Sequence, residues 1–331
     1  MPKERILVIK LGALGDFIYS IGPMQAVKKN HPDSELTLMT RPAFEQLGQR
    51  INIFDEILID QEPKKWQLLK MINLRNILRS KDFTRIYDLQ TSDRTGFYYK
   101  MLGPGLRPEW SGIVKGCSHY HHYKRPTLIH TQVRQREQLR IAGIEAVPEP
   151  DLSFMNECLK NFDLPKNYAL IIPGSSAKMK IKRWPAASYA ELSMVLAQRN
   201  ITPILIGTNE DMDSINIIKR MCPNTVDIAG KTSIFQIASL GRSAKFCIGN
   251  DTGFSHLSVN LDIETLIIYG NCDPQSYSNL IHHIDIDEGI NRTTKSINTI
   301  KTEKVLNKLS EFLNRRGGRC LLYTSPSPRD A

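Results

Sequence analysis

Short apolar runs alternate along this chain with longer stretches in which apolar residues recur every three or four positions. That alternation of strand and helix patterns is the signature of parallel sheets built from βαβ units. In the first half the runs ILVIK, ELTLMT, EILID, RIYDLQ and WSGIV read as strands, and Asp16 to Asn30, Trp66 to Arg79 and Thr131 to Ala142 as helices. The stretch VPEPDLSF, rich in proline and acid, then reads as a linker. The pattern restarts with YALIIPG, a helix from Pro185 to Gln198, TPILIG, a helix from Glu210 to Arg220, TVDIAG and a short helix from Ser233 to Leu240. A strand from Lys245 to Gly249, a helix from Phe254 to Leu261, a strand from Thr265 to Tyr269 and a helix from Thr302 to about Arg315 complete it. Alternation alone supports a doubly wound α/β fold, divided into domains at 1–152 and 153–316.

The first candidate site lies where the ILVIK strand ends in a glycine-bearing turn, Gly12 to Gly15, and Asp16 opens a helix. Ligands of open α/β sheets bind beyond the carboxyl ends of the strands, so a carboxylate delivered there is a candidate for chemistry. The third glycine of a dinucleotide fingerprint is missing. An N-cap role for Asp16 is an equal alternative on propensity alone. The second site is in KFCIGNDTGFSHLSVNLDIETLIIYGNCDP. Here Asn250, Asp251, Thr252 and Gly253 form a turn of small residues before a helix, a place where backbone N–H groups and the helix dipole suit an anion such as phosphate. His256 follows on the first turn, although a histidine there is more often structural.

Length and charge add to this picture. A chain of 331 residues is natural for two α/β domains, each able to bury a core. The net charge of +10 comes partly from clusters at Arg75, Arg79, Lys81 and Arg85, at Lys115, Lys124 and Arg125, and at Lys178, Lys180, Lys182 and Arg183. A solvated face is the favoured reading of the first cluster. The last follows a strand end and Gly174, where side chains can turn toward a ligand. Nucleic acid is not expected, since no nucleic-acid-binding motif accompanies the charge. The run His119 to Tyr123 is expected to remain solvated. Six scattered cysteines, Cys117, Cys158, Cys222, Cys247, Cys272 and Cys320, suggest reduced thiols rather than zinc ligands or disulfides. Neither a membrane-spanning run nor a signal peptide is recognisable, so a cytoplasmic location is expected, with peripheral contact at the anionic face of the inner membrane as a further expectation. The ending GGRCLLYTSPSPRDA has no helical or strand period and reads as translated adaptor sequence, so 317–331 is set aside as a non-native tail.

Three segments carry a family resemblance. The L-G-x-x-G-D turn with its helix, the loop IIPGSSAKMKIKRWPAASYAELSMVL with Lys182, Trp184 and Pro185, and N-D-T-G-x-x-H-L resemble, in that order, the signatures of the bacterial heptosyltransferases, glycosyltransferase family nine. The resemblance implies the GT-B architecture, two Rossmann-like doubly wound domains facing across a cleft. It also implies inverting transfer of heptose from a nucleotide diphosphate sugar, ADP-heptose, to a lipid-linked saccharide acceptor, the lipopolysaccharide inner core. Asp16 would then be the general base and Lys182 would neutralise the leaving diphosphate. Ser175, Ser176, Thr252 and Gly253 would be further donors to the phosphates, Glu210 and Asp251 would accept from sugar hydroxyls, and His256 would orient the turn. No metal and no cofactor are expected, because a lysine and a helix terminus would carry the positive charge. Extra lysines at Lys178 and Lys180 leave the phosphate role open to either, and Phe254, Ser258 and Cys272 depart from the family pattern. The loops expected to read the acceptor are Thr91 to Arg94 and Lys115 to Arg125. A catalytically silent nucleotide-sugar binding protein and a nicotinamide oxidoreductase are the competing readings.

Overall fold

The computed structural model describes residues 3–64, 66–103, 105, 107–122, 130–270, 278–285 and 296–319, without the side chains of 177, 178, 296 and 315–319. Lys124, Arg125, Cys272, Cys320 and the tail from 320 onward lie outside them, as does the side chain of Lys178. The chain divides into two compact units, Met1–Met155 and Asn156–Ala331.

In the first unit the elements are β1 (Arg5–Ile9), α1 (Leu14–Asn30), β2 (Glu35–Thr40), α2 (Glu45–Ile51), β3 (Glu56–Ile59), α3 (Leu68–Ser80), β4 (Arg85–Asp88), α4 (Asp93–Leu102), β5 (Glu109–Gly112), β6 (His119–Tyr120) and α5 (Thr131–Ile141). The strands form a parallel sheet in the order β3-β2-β1-β4-β5-β6. Parallel strands covered on both faces must be apolar throughout, and Ile6, Leu7, Val8 and Ile9 are fully buried.

The second unit contains β7 (Tyr168–Ile172), α6 (Ala186–Gln198), β8 (Thr202–Leu205), α7 (Met212–Met221), β9 (Val226–Asp227), α8 (Ile234–Ser243), β10 (Cys247–Asn250), α9 (Gly253–Asn260), β11 (Thr265–Ile268), β12 (Ile281–Ile284) and α10 (Thr302–Arg319). Its sheet, also parallel, runs β12-β11-β10-β7-β8-β9. Counted from each unit's first strand the two orders are identical, 3-2-1-4-5-6, so the direction of winding reverses between β1 and β4 and again between β7 and β10. Val305, Leu309 and Phe312 of α10 join the second core, with Phe312 set edge-on to Phe246.

Several sequence expectations are corrected. Three helical and strand elements, α2, α4 and β12, and the short edge strand β6 arise where none is read from the sequence. The helix expected from Trp66 starts at Leu68, and the last helix continues to Arg319, three residues into the segment set aside as a tail. Asp93 and Arg94 belong to α4 rather than to a loop; Arg94 donates to Tyr98 and the Pro63 carbonyl and pairs with Glu62. His121 is not solvated: it is buried, with Nε2 3.1 Å from Glu137. Cys117, Cys222 and Cys247 are buried free thiols and Cys158 is an exposed one.

Candidate active site

Each unit carries its own candidate residues where a winding reversal leaves room beyond the strand ends. In the first unit the turn after β1 is shaped by Gly12, whose φ of +128° is a conformation that side-chain-bearing residues avoid and whose missing Cβ would stand 2.8 Å from Phe44. The N-cap of α1 is Ala13, with no side-chain capping bond, so Asp16 is the third helical residue and the N-cap alternative does not hold. Its half-buried carboxylate accepts a 3.0 Å hydrogen bond from the Thr131 hydroxyl at the start of α5, and that hydroxyl also accepts from Arg134 at 3.0 Å. Beneath it lies Lys10, only 3% exposed, whose ammonium donates to the Leu89 carbonyl at 3.3 Å. Burial pulls the Lys10 ammonium below the usual lysine range; the charges of Asp16 and Asp88 oppose that shift and Arg134 adds to it. Asp88, the last residue of β4, is buried and pushed up to about 6 by desolvation, against hydrogen bonds from Thr95 and Thr91 and the charge of Lys10.

In the second unit Asn250 ends β10 and knits two segments to the strand. Its Oδ1 accepts from the Trp184 N–H at 3.1 Å and the Tyr189 hydroxyl at 2.9 Å, and its Nδ2 donates to the Pro173 and Gly174 carbonyls at 2.9 and 3.1 Å. All four bonding positions of the buried amide are filled, which fixes the loop after β7 against the turn before α9. Asp251 follows. It accepts from Lys182 through Oδ2 and lies 2.9 Å from His256 Nε2 through Oδ1. Burial raises the Asp251 pKa, but His256 and Lys182 together outweigh burial and hold the carboxyl well below the usual carboxylate range. Thr252 is the N-cap of α9, without a capping bond from its own side chain, and Gly253 is the first helical residue.

The remaining candidates divide. Ser175 is buried; its hydroxyl donates to the Met179 carbonyl at 2.8 Å and accepts from Arg183 at 3.2 Å, so it shapes the loop. Ser176 is exposed at the start of the short 3-10 helix that ends at Lys182. Glu210 is exposed beyond β8, and its carbonyl accepts from Arg183 at 3.4 Å. Thus Lys182, Asp251 and His256 form one cluster at the start of α9, while Ser176 and Glu210 stand in the neighbouring loops.

Four residues organise these surroundings without a specific role assigned from the sequence: Lys10, Thr131, Asn250 and Arg183. Asn250 and Arg183 sit inside motifs that were read, and the signal for Asn250 was an amide at a strand end amid small residues. Arg183 pairs with Asp211 at 2.8 Å, and Gly174 allows that approach, since a Cβ there would meet the Asp211 carboxyl at 2.3 Å. Two D-x-D spacings, Asp211 to Asp213 and Asp285 to Asp287, are present in the sequence. Asp211 is engaged by Arg183 and by the Thr208 N–H and hydroxyl, and Asp287 lies outside the described residues.

The chain is similar to known proteins over most of its length. The chain is 22% identical to the lipopolysaccharide core heptosyltransferase OpsX of Haemophilus influenzae, over 87% of this chain and 85% of that one. Among solved structures it is similar to a family 9 glycosyl transferase from Veillonella parvula, with a TM-score of 0.76 at 16% identity over 94% of this chain and 97% of that one. It is also similar to the E. coli ADP-heptose LPS heptosyltransferase II, with a TM-score of 0.73 at 21% identity over 95% and 99%. The likeness assigns the GT-B fold, and the nicotinamide oxidoreductase reading falls away. The profile of glycosyltransferase family 9 (heptosyltransferase) matches residues 71–306, most of the chain, and the protein belongs to that family of glycosyltransferases.

Proposed function

We propose that this enzyme transfers heptose, with inversion, from ADP-heptose to a lipopolysaccharide inner-core acceptor. The observation that carries the reading is the lysine of the second unit, Lys182, held by Asp251 beside the start of α9, a cation and a helix N-terminus together at one strand-end turn. A diphosphate suits that combination. Support for the sugar comes from relatives: solved structures similar to this chain are described as an ADP-heptose LPS heptosyltransferase II and as a heptosyltransferase with ADP-2-deoxy-2-fluoro heptose.

In this mechanism Asp16 takes the proton of the acceptor hydroxyl as its oxygen bonds to the anomeric carbon and the bond from that carbon to the diphosphate oxygen breaks. A positioned base contributes typically ~10²- to 10⁴-fold. Thr131 fixes one oxygen of Asp16, leaving the other for the proton. Lys182 exchanges Asp251 for the diphosphate and neutralises the charge that grows there, with the backbone of Thr252 and Gly253 and the hydroxyl of Ser176 as further donors. Asp251, still bound to His256, is then available to a donor hydroxyl, and Glu210 to the ribose. Ser175 serves by holding the loop. The charge is carried by the protein rather than by a divalent ion.

Incubation with ADP-heptose and a series of truncated inner-core acceptors, followed by mass detection, tests the reading. One added heptose on a single acceptor is the expected result. Transfer from a different nucleotide sugar, with none from ADP-heptose, would overturn the donor assignment.

A further inference from the structure

Lys182 and Arg183 are neighbours in the chain, and their side chains serve different carboxylates. Lys182 reaches Asp251 in the turn before α9, whereas the Arg183 guanidinium reaches back to the loop after β7 and across to the loop after β8. Its Nε donates to the Ser175 hydroxyl at 3.2 Å, Nη2 donates to the Ser175 carbonyl and to Asp211 Oδ1, both at 2.8 Å, and Nη1 donates to the Glu210 carbonyl at 3.4 Å. The other oxygen of Asp211 accepts from the Thr208 N–H at 2.9 Å and from the Thr208 hydroxyl at 3.0 Å. One planar fork thus ties the two loops together. The backbone makes room for it: a Cβ on Gly174 would meet the Asp211 carboxyl at 2.3 Å, and one on Gly207 would stand 3.2 Å from Asp211. Gly174 follows β7 and Gly207 follows β8, so the carboxylate lies at the root of both loops. Arg183 and Asp211 are mostly buried. A buried ion pair adds little stability over apolar side chains of the same volume, and what this pair supplies is a fixed distance between loops.

We propose that Arg183 is a positioning residue for the nucleotide: it sets the spacing between the loop that bears Lys182 and the loop that bears Glu210, so that one nucleoside diphosphate engages both. The inference rests on the reading of Lys182 as the diphosphate ligand and Glu210 as the ribose ligand. Arg183 acts through the loops rather than on the ligand, since its Nε, Nη1 and Nη2 all donate to protein oxygens. A ligand with two ends gains over its separate ends only where the two binding places stand at the ligand's own spacing. Loosening the fork therefore weakens the joined molecule and spares its parts. Lysine is no substitute, because a single ammonium lacks the rigid fork that reaches Ser175, Glu210 and Asp211 together.

The test compares ADP with its two parts, adenosine and pyrophosphate, by titration of the full chain, with ligand-observed NMR for the weak fragments. Two variants remove the fork: Arg183→Lys, and Arg183→Met together with Asp211→Asn. The first keeps a cation beside Asp211 and the second leaves no buried charge without a partner, so both should fold, and melting temperatures check this. ADP affinity should fall about tenfold or more in each variant. Affinities for adenosine and for pyrophosphate should change less than about twofold. Unchanged ADP affinity in both variants would overturn the proposal. So would an equal loss for pyrophosphate, which would make Arg183 a phosphate ligand, or an equal loss for all three with lowered melting temperatures, which would make the pair purely structural. A parent that binds UDP or GDP and not ADP would overturn the donor assignment alone, and the same comparison with that nucleotide and its own fragments then decides the role of Arg183. A parent that binds no nucleoside diphosphate would overturn both.

Discussion

The two units share one strand order and spend it differently. At equivalent places, the last residue of the fourth strand, the first unit has Asp88 and the second Asn250. Asn250 is neutral and makes four hydrogen bonds, so it can be buried without a charge to offset. Asp88 is buried beside the buried Lys10, and desolvation pushes it up to about 6. The exposed charges are reversed too. In the first unit a cation is buried and the carboxylate of Asp16 stands above it. In the second the carboxylate of Asp251 lies between Lys182 and His256, with Lys182 the more open of the pair. On the proposed mechanism, topology fixes where chemistry can occur, and the residues at two strand ends decide whether a site handles a proton or an anion.

The largest expected effect removes the acceptor half alone. Asp16→Asn should lower turnover by ~10²- to 10⁴-fold, while ADP affinity and melting temperature stay close to those of the parent. Its contribution as an acid in the first turn of α1 is worth only about 0.3–1 kcal/mol. Comparable turnover in the variant would remove Asp16 from the mechanism, and a large loss of stability would make its role structural.

Lys182→Ala should strike both donor affinity and rate, since the diphosphate is charged before reaction and gains charge as the bond breaks. Loss of one such donor typically costs roughly 10²-fold in turnover. Lys180→Ala should do less, because the lysine paired with Asp251 is Lys182. If isothermal titration and kinetics instead single out Lys180, the phosphate role moves along the loop and the Lys182–Asp251 pair is a scaffold.

Asp88→Asn makes the first unit resemble the second. A carboxyl raised from 3.8 to about 6 on folding keeps its proton in the native state while the unfolded chain has lost it, so its contribution is full below pH ~4 and is lost as pH rises through about 6. The parent should lose on the order of 2–3 kcal/mol of stability across that window, at about 1.4 kcal/mol per pKa unit. The variant should lack this part of the slope and be the more stable protein at pH 8. Denaturant melts at pH 4.5 and 8 measure the difference. Identical slopes would mean that Lys10 neutralises Asp88 fully.

Much of the fold was legible, because apolar runs with period two or none and helices with period 3.6 survive in any context. The elements missed had ambiguous local signals. The strand β12 reads Ile-His-His-Ile, polar at its centre, and α4 carries Gly96 among aromatics, its start set by a Ser92 and Thr95 capping box that lacks the usual glutamate. The candidate residues that stand in motifs, Asp16, Lys182, Asp251 and His256, are legible in the sequence as candidates. Those whose roles depend on distant partners were not: Arg183 meets Asp211 twenty-eight positions later, and Thr131 meets Asp16 across one hundred and fifteen. In α3 apolar residues are interspersed with polar ones on every side, so only the structure separates Met71 and Leu74, turned inward, from Leu69 and Ile72, turned out.

The smallest expected effect is none: transfer should be the same in excess EDTA as in added magnesium or manganese. A hard cation on a diphosphate is held by carboxylate oxygens that remain open to it. Of the carboxylates around the second unit's site, Asp211 already accepts from Arg183, from the Thr208 N–H and from the Thr208 hydroxyl, and Asp251 accepts from Lys182 and lies against His256. Asp211 is thereby tied to protein donors, Asp251 stays against His256 when Lys182 turns to the diphosphate, and in the proposed mechanism the positive field comes from Lys182 and the start of α9. Product formation in the three conditions decides the matter. Activity lost with chelation and restored by one particular metal would transfer the leaving-group role from Lys182 to an ion, and the contrast between a proton-handling first unit and a cation-bearing second unit would then hold only for the first.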